Sequence, residues 1–501
     1  MEKKVQDILS EFEASDKAAW ANAVKQSLRK QEELNALQHV RAEGISMVAL
    51  YDAEDIKNLP FVGAEPGVYP YCSGFPGFEQ SVLRQRIHTE KHMLANQQAD
   101  EALKNGADEI EFVGDSIGNE REFGTLLLGL NPTQNPLHFH FDESNNSLLF
   151  ILAAEWEAKG YDLNKVKGSV YFSPFDRLLA TGNYDYSESE TARLLKANLD
   201  CVIEQMPQMK ALSVNGLRFA NAGGGEVSEM AFSLAMAVEY LKMLEEQGIE
   251  PNKVIPHLQF HLSAGPDYLT NIAKLRAFRM LWANVADAWE IDVFPHIHMS
   301  PSEFNLSIYD RHTNMLRLTS AAMSAMLGGA GSFTAIPFNE RIELPDAFAY
   351  RNARNIWNVL KQEAYMDKVQ DPAAGSYFLE MLTSKLCEAA WDLFREVEKK
   401  GGFLASLENK FIQGSIEKNY NDKLEAFRKG EYVVVGTNKY PDQQEKLSGK
   451  ISKLVQKPDM KEQFRVMPLP ARFITESLDE SRLKSETQQL REELASNEEE
   501  E

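Results

Sequence analysis

The stretch Ser213-Val214-Asn215-Gly216-Leu217-Arg218-Phe219-Ala220-Asn221-Ala222-Gly223 joins a short apolar run to a glycine-rich turn. Residues 211–214 read as a strand, and residues 226–247 follow the turn with helical periodicity. A strand that feeds a helix through a tight turn is one β/α unit, and repetition of such units makes a parallel sheet. The same alternation recurs on both sides of the stretch. Strands are predicted at 109–113, 137–141, 169–172, 211–214, 257–262, 296–299, 332–336 and 432–435, and helices at 226–247, 267–285, 312–327 and 347–366. About eight strands of this kind predict a closed α/β architecture, a (β/α)8 TIM-type barrel, with any site at the C-terminal ends of the strands.

The flanks have a different character. Val5, Ile8, Leu9 and Phe12, then Trp20, Val24 and Leu28, recur at helical spacing and predict a helical arm. Between about residues 46 and 77, Pro60, Gly63, Pro66, Gly67, Pro70, Gly74, Pro76 and Gly77 mark a turn-rich segment. Residues 78–105 then resume a helical pattern. Three regions follow: an N-terminal arm and turn-rich segment (1–77), the barrel (78–440), and a linker with a charged, acidic tail (441–501). In that tail Leu483, Leu490 and Leu494 could form one face of a terminal helix.

With 43% hydrophobic and 26% charged residues, the 501-residue chain has the composition of a globular protein. Its 53 basic and 75 acidic residues leave a net charge of −22, which opposes partnership with nucleic acid or an anionic membrane surface. The longest apolar stretch, residues 148–154, is far too short to span a bilayer, and the N-terminus lacks the apolar core of a secretory signal. Cys72, Cys201 and Cys387 are widely scattered, which fits neither a disulfide framework nor a zinc site. A reducing cytoplasm is the expected compartment.

Several residues carry potential chemistry. His138 and His140, and likewise His296 and His298, lie two apart on predicted strands, so each pair faces one way. Convergence of four imidazoles in a barrel could hold a divalent metal, as in metal-dependent TIM-barrel hydrolases. The plainer alternative is a polar barrel lining. Gly223-Gly224-Gly225 and Gly328-Gly329-Ala330-Gly331 adjoin predicted helices and could cradle a phosphate, although tight turns explain them equally. No activating base can be assigned to Cys72 as a nucleophile.

Separated segments, taken together, resemble the methylmalonyl-CoA mutase family. They are the opening stretch, Ala273-Lys274-Leu275-Arg276-Ala277 with Leu281-Trp282, Asp371-Pro372 with Gly375-Ser376-Tyr377, Glu398 with Gly401-Gly402, and Val435-Gly436-Thr437-Asn438-Lys439-Tyr440. The likeness covers roughly residues 70 to 440. It implies a tyrosine, a histidine and a glutamine at the positions of Cys72, Arg218 and Ala220, so no catalytic residue is expected here. Arg218 is longer and permanently charged, and cannot act as a tunable acid. The resemblance further places Arg193 and His298 near substrate-binding positions, Arg193 toward a carboxylate.

The family's cobalamin-binding histidine lies in an Asp-x-His-x-x-Gly motif. The nearest match, Asp310-Arg311-His312-Thr313-Asn314-Met315, lacks the glycine and falls inside the barrel segment. No cobalamin-binding domain, no metal and no cofactor bound by this chain are therefore expected. The resemblance implies a small, non-catalytic β-type subunit whose partner is a larger catalytic mutase chain carrying adenosylcobalamin, with acyl-CoA as a possible ligand. Two alternatives stay open: the metal-dependent hydrolase, and the active barrel subunit of a split acyl-CoA mutase.

Overall fold

The computed structural model describes residues 16–27, 39–40, 42–76, 81–114, 120–141, 147–447 and 464–500. Its centre is a parallel sheet of nine segments: β1 (Val82–His88), β2 (Glu109–Gly114), β3 (Leu137–Phe141), β4 (Gly168–Val170), β5 (Met209–Lys210), β6 (Leu212–Asn215), β7 (Leu258–Ala264), β8 (Ile297–Pro301) and β9 (Ser332–Ala335). β5 and β6 are two pieces of one stave, interrupted at Ala211. β5 pairs with β4, while β6 pairs with β7. The gap is stitched by Ala211 N–H donating to the His257 carbonyl at 3.0 Å and Ser213 N–H donating to the Phe172 carbonyl at 3.2 Å. The nine segments therefore close as an eight-stave α/β barrel, the TIM-type architecture expected.

Helices α1 (Glu188–Gln205), α2 (Glu226–Glu246), α3 (Tyr268–Asp287), α4 (Thr313–Gly328), α5 (Tyr377–Lys399) and α6 (Phe411–Lys429) pack around the sheet, and α7 (Glu476–Glu500) follows the last described loop. The predicted helices at 226, 267, 312 and 347 begin within a residue of where the structure starts them. Caps explain part of this agreement: the Asp267 side chain accepts from Thr270 N–H, and that of Asp346 from Ala349 N–H. The outward face of the staves is apolar. Phe260 of β7 meets Phe278 and Trp282 of α3 edge-on, with centroids 4.8 and 4.7 Å apart. Burial of such rings supplies much of the sheet-to-helix adhesion.

Two strand expectations fail. β1 falls where the sequence reads as helix, because its inward positions are Arg84 and Arg86 rather than apolar residues, so neither period stands out. The β-branched run at 432–435 is a turn instead. Asn438 holds it: its side chain accepts from Val434 N–H at 2.8 Å and donates to the carbonyls of Phe427 and Tyr432 at 3.0 and 2.9 Å. Of the predicted N-terminal helices, Lys17–Ser27 is present, and the calls on residues 1–15 and 28–38 lie outside the described residues.

The region read as linker and tail returns to the barrel. Backbone N–H groups of Arg465, Leu469, Arg472 and Ile474 donate to the carbonyls of Gly182, Leu179, Asn221 and Phe304 at 2.7–3.0 Å. These acceptors lie in or at the ends of the short helices that follow β4, β6 and β8, so the segment follows the C-terminal side of the barrel. Gly182, at φ +81°, is required there, since a Cβ would stand 2.6 Å from Phe464 and 2.7 Å from the Val466 carbonyl oxygen. Ile474 is fully buried among Phe304, Phe427 and Val434. Ile474→Ala is expected to destabilise the protein by about 2–4 kcal/mol, read from urea unfolding. It should also speed tryptic cleavage at Arg472; an unchanged midpoint would mean that the segment is not part of the cooperative unit.

Candidate functional site

The barrel axis is where inward side chains meet, and here they are charged. Register places Arg84 beside Glu109 and Arg86 beside Glu111 on the neighbouring stave. Arg84 Nε donates to Glu109 at 3.1 Å, and Arg86 Nε to Glu111 at 3.1 Å. His138 Nε2 lies 3.0 Å from the same Glu109 oxygen, while its Nδ1 is 2.8 Å from Ser169 Oγ. Thr334 Oγ1 donates to Glu111 at 3.2 Å and lies 2.9 Å from His298 Nε2. His298 Nδ1 contacts Ser332 Oγ at 2.7 Å, and His261 Nε2 contacts Ser300 Oγ at 2.7 Å.

These groups are almost wholly removed from solvent: Arg84 is 2% exposed, Glu111 3%, His261 3% and His298 2%. The space left between them is about 10 Å³, the scale of a single water. Burial works against the charge on Glu109, yet His138 and Arg84 win and hold its carboxyl down at about 2. Glu111 is likewise depressed by Arg86 and Arg84 against its burial. Burial pushes His261 down to about 3 and His298 well below its ordinary value, so both are neutral. Chemically the axis is a filled, paired polar core with no room for a substrate chain.

The histidine pairs do converge inside the barrel, and His261, which the sequence reading did not single out, joins them. His261 and His298 rings lie 4.7 Å apart, and His140 stacks on Tyr171 at 3.8 Å. Serine, threonine and glutamate partners hold His138, His261 and His298. Among the described residues, no group of three or more His, Cys, Asp or Glu is arranged to hold a metal ion.

The other expected site residues are scattered. Arg218 sits after β6 on the short helix Gly216–Asn221, and its Nη2 donates to Asp176 at 3.0 Å. Against its own burial, Asp176 is kept below the usual carboxylate range by Arg218. Ala220 lines a separate pocket of about 970 Å³ on the C-terminal rim, off the axis, with Glu229, Ser263, Asp267 and Ser302. That volume is within the small-molecule range. Behind its wall Lys274, fully buried, donates to Glu229 at 2.7 Å and to the Ser263 carbonyl at 2.7 Å.

Cys72 is at the opposite end. Arg279 of α3 donates to the carbonyls of Tyr71, Cys72, Gly328 and Gly329 at 2.8–3.0 Å, which ties the Cys72 segment to the turn before β9. The fold separates Cys72 from Arg218, because one precedes the N-terminal end of the sheet and the other follows its C-terminal end. Burial raises the Cys72 thiol to about 11 against Arg276 and Arg279, which keeps it protonated at neutral pH. Gly328-Gly329 is a helix end, with Gly329 at φ +77°. Arg193 lies on α1 with its side chain 67% exposed and forked onto Glu190 at 3.0 and 2.6 Å. His298 is the buried axis histidine described above.

The axis residues that matter most were legible only as i, i+2 charge pairs, Arg84-x-Arg86 and Glu109-x-Glu111. Removal of one member strands the other: Arg86→Met should destabilise the fold by about 3–5 kcal/mol in urea unfolding. The histidines add a pH dependence. Between about pH 6.5 and 3 the unfolded chain binds protons that buried His261 does not, so stability falls as pH falls, by up to about 1.4 kcal/mol per pH unit for each such histidine. Glu109 adds a loss in the same direction below about pH 4.5. Urea midpoints at pH 7.5 and 5.0 test this, and a flat profile would contradict buried neutral imidazoles.

Residues 87–495 match the sequence profile of the methylmalonyl-CoA mutase family. The chain is 30% identical over 460 residues to the methylmalonyl-CoA mutase small subunit of Porphyromonas gingivalis, covering 90% of this chain and 74% of that one. Against the small subunit of Streptomyces virginiae the identity is 31% over 419 residues, with 81% and 66% covered. The large subunit of the same organism is 25% identical over 453 residues, with 84% and 60% covered. Profile and relatives coincide with the segments that carried the resemblance and with the barrel that joins them, and on those grounds the chain belongs to the methylmalonyl-CoA mutase family.

Proposed function

We propose that this chain is the non-catalytic β subunit of a heterodimeric, adenosylcobalamin-dependent methylmalonyl-CoA mutase, which interconverts succinyl-CoA and methylmalonyl-CoA. Its role is to stabilise the larger catalytic subunit. The observation that carries the reading is the filled axis: Arg84, Arg86, Glu109, Glu111, His138, His261 and His298 occupy the centre in paired form, leaving about 10 Å³. A thioester substrate cannot enter without breaking buried ion pairs, each break costing about 3–5 kcal/mol. The arginine at position 218 and the alanine at position 220 agree with an inactive barrel.

Cobalamin fits the residues poorly. His312 directly precedes α4, its ring 5.1 Å from that of Phe338, and Asp310 accepts from Thr313 Oγ1 at 2.6 Å. The Asp-x-His sequence thus builds a helix-entry turn. The relatives include both a small and a large mutase subunit, which supports a larger mutase chain as partner. Cys72, Cys201 and Cys387 are all free, which suits a reducing cytoplasm. No helix among the described residues is long and apolar enough to cross a membrane.

Co-expression of this chain with the large mutase subunit of its host should yield an equimolar complex and raise the large subunit's melting temperature by several degrees. A large subunit equally stable and active alone, with no binding to this chain, would sink the assignment. The double variant R218H/A220Q should remain inactive with succinyl-CoA and adenosylcobalamin, since the axis is still filled. Turnover by that variant would show that the barrel admits substrate after all.

A further inference from the structure

The rim pocket of about 970 Å³ has two unlike walls. One is a face of α5, where Leu382, Leu386, Ala389 and Leu393 recur at helical spacing. The other is polar: the first turn of α2 brings Glu226 to it, and Tyr432 and Asp267 stand close enough to feel that charge or share it. Around the whole lining carboxylates outnumber ammonium groups six to two, so the pocket carries a negative field above an apolar wall.

The inner cations are already committed. Lys423 donates to the Gly224 carbonyl at 2.7 Å, with its ammonium 5.2 Å from the centre of the Phe304 ring. Lys274, behind the wall, is spent on Glu229 and Ser263. Lys418 stands exposed on the outer turn of α6, where solvent screens it. Among the described residues no cation pairs with Glu226, although its place in the first turn of α2 favours its charged form. Neighbouring groups register that charge. Burial raises the Glu43 carboxyl, and Glu226 raises it further against the Ser228 hydroxyl and Lys423. Burial likewise raises the Tyr432 phenol, with Glu226 and Asp267 adding to it against the 2.6 Å hydrogen bond to Asn305. A half-buried carboxylate in a cavity attracts a cation more strongly than one on an open surface.

We propose that the rim pocket binds an amphipathic organic amine: its ammonium head group pairs with Glu226 beside Tyr432, and its apolar body lies along the Leu382–Leu393 face of α5. The charge selects the ligand class. An anion meets the same field with the opposite sign, and a neutral ligand leaves Glu226 without a counter-ion. The pocket volume is that of a small-molecule site, and binding of this kind requires nothing of a partner chain.

Calorimetric titration of the full chain with n-hexylamine, n-hexanol and n-hexanoate tests the pocket, because the three probes share one apolar body and differ in head-group charge. At neutral pH the amine is a cation, as a lysine side chain is. It should bind at one site about tenfold more tightly than the alcohol, and the carboxylate more weakly than both. Glu226→Gln should remove most of that tenfold advantage and leave binding of the alcohol in place. Ala389→Trp, which sets a bulky ring on the α5 wall, should weaken the amine and the alcohol alike. Should either variant melt lower than wild type, the wild-type series alone decides. Hexanoate binding as tightly as hexylamine, no saturable binding of the amine, or full amine affinity in a folded Glu226→Gln would each overturn the proposal.

Discussion

The ion pairs between Arg84 and Glu109, and between Arg86 and Glu111, are the constraint around which the rest of the barrel is arranged. Buried charges are tolerated only when their partners are fixed in place. The parallel register of β1 and β2 fixes them, and the closure of the sheet removes the water that would compete. Each further polar group then has a required position. Ser169 and Ser332 must meet His138 and His298, and Thr334 must bridge His298 to Glu111. A closed barrel of this kind gains specificity from its centre and adhesion from its outer, apolar face.

That division has a functional consequence. In a TIM-type barrel the axis and the C-terminal rim are the available places for chemistry. Here the axis is occupied by the pairs that hold the staves in register, and the connections after three of the eight staves are contacted by the 464–474 segment of the same chain. Among the described residues, a pocket of small-molecule size lies off the axis, on the rim beside Ala220. The polar groups of the axis are spent on internal cohesion.

The arm and the returning C-terminal segment act in the same sense from opposite ends of the chain. Both attach to loops on the C-terminal side of the sheet, and both do so through backbone groups that those loops leave unpaired. Glu43 takes the free amides of α2, and residues 465–474 take the carbonyls of Leu179, Gly182, Asn221 and Phe304. Unsatisfied backbone groups at loop and helix ends are thus the physical reason that distant segments dock where they do.

Seven of the eight staves and the starts of four helices, at 226, 268, 313 and 347, were legible in the sequence, because apolar periodicity and capping residues act within one turn or one strand. The family segments were legible for the same reason, being local. The first stave was not: its inward residues are arginines whose partners lie 25 positions away, and an ion pair across staves leaves no periodic trace. Nor could the sequence show that Cys72 and Arg218 stand at opposite ends of the barrel, since strand direction alone decides which loops share a rim. The sequence by itself determined the order of β/α units; the tertiary structure alone decided that charges fill the axis and that residues 43–45 and 465–474 lie along its rim, because both depend on groups meeting across closure.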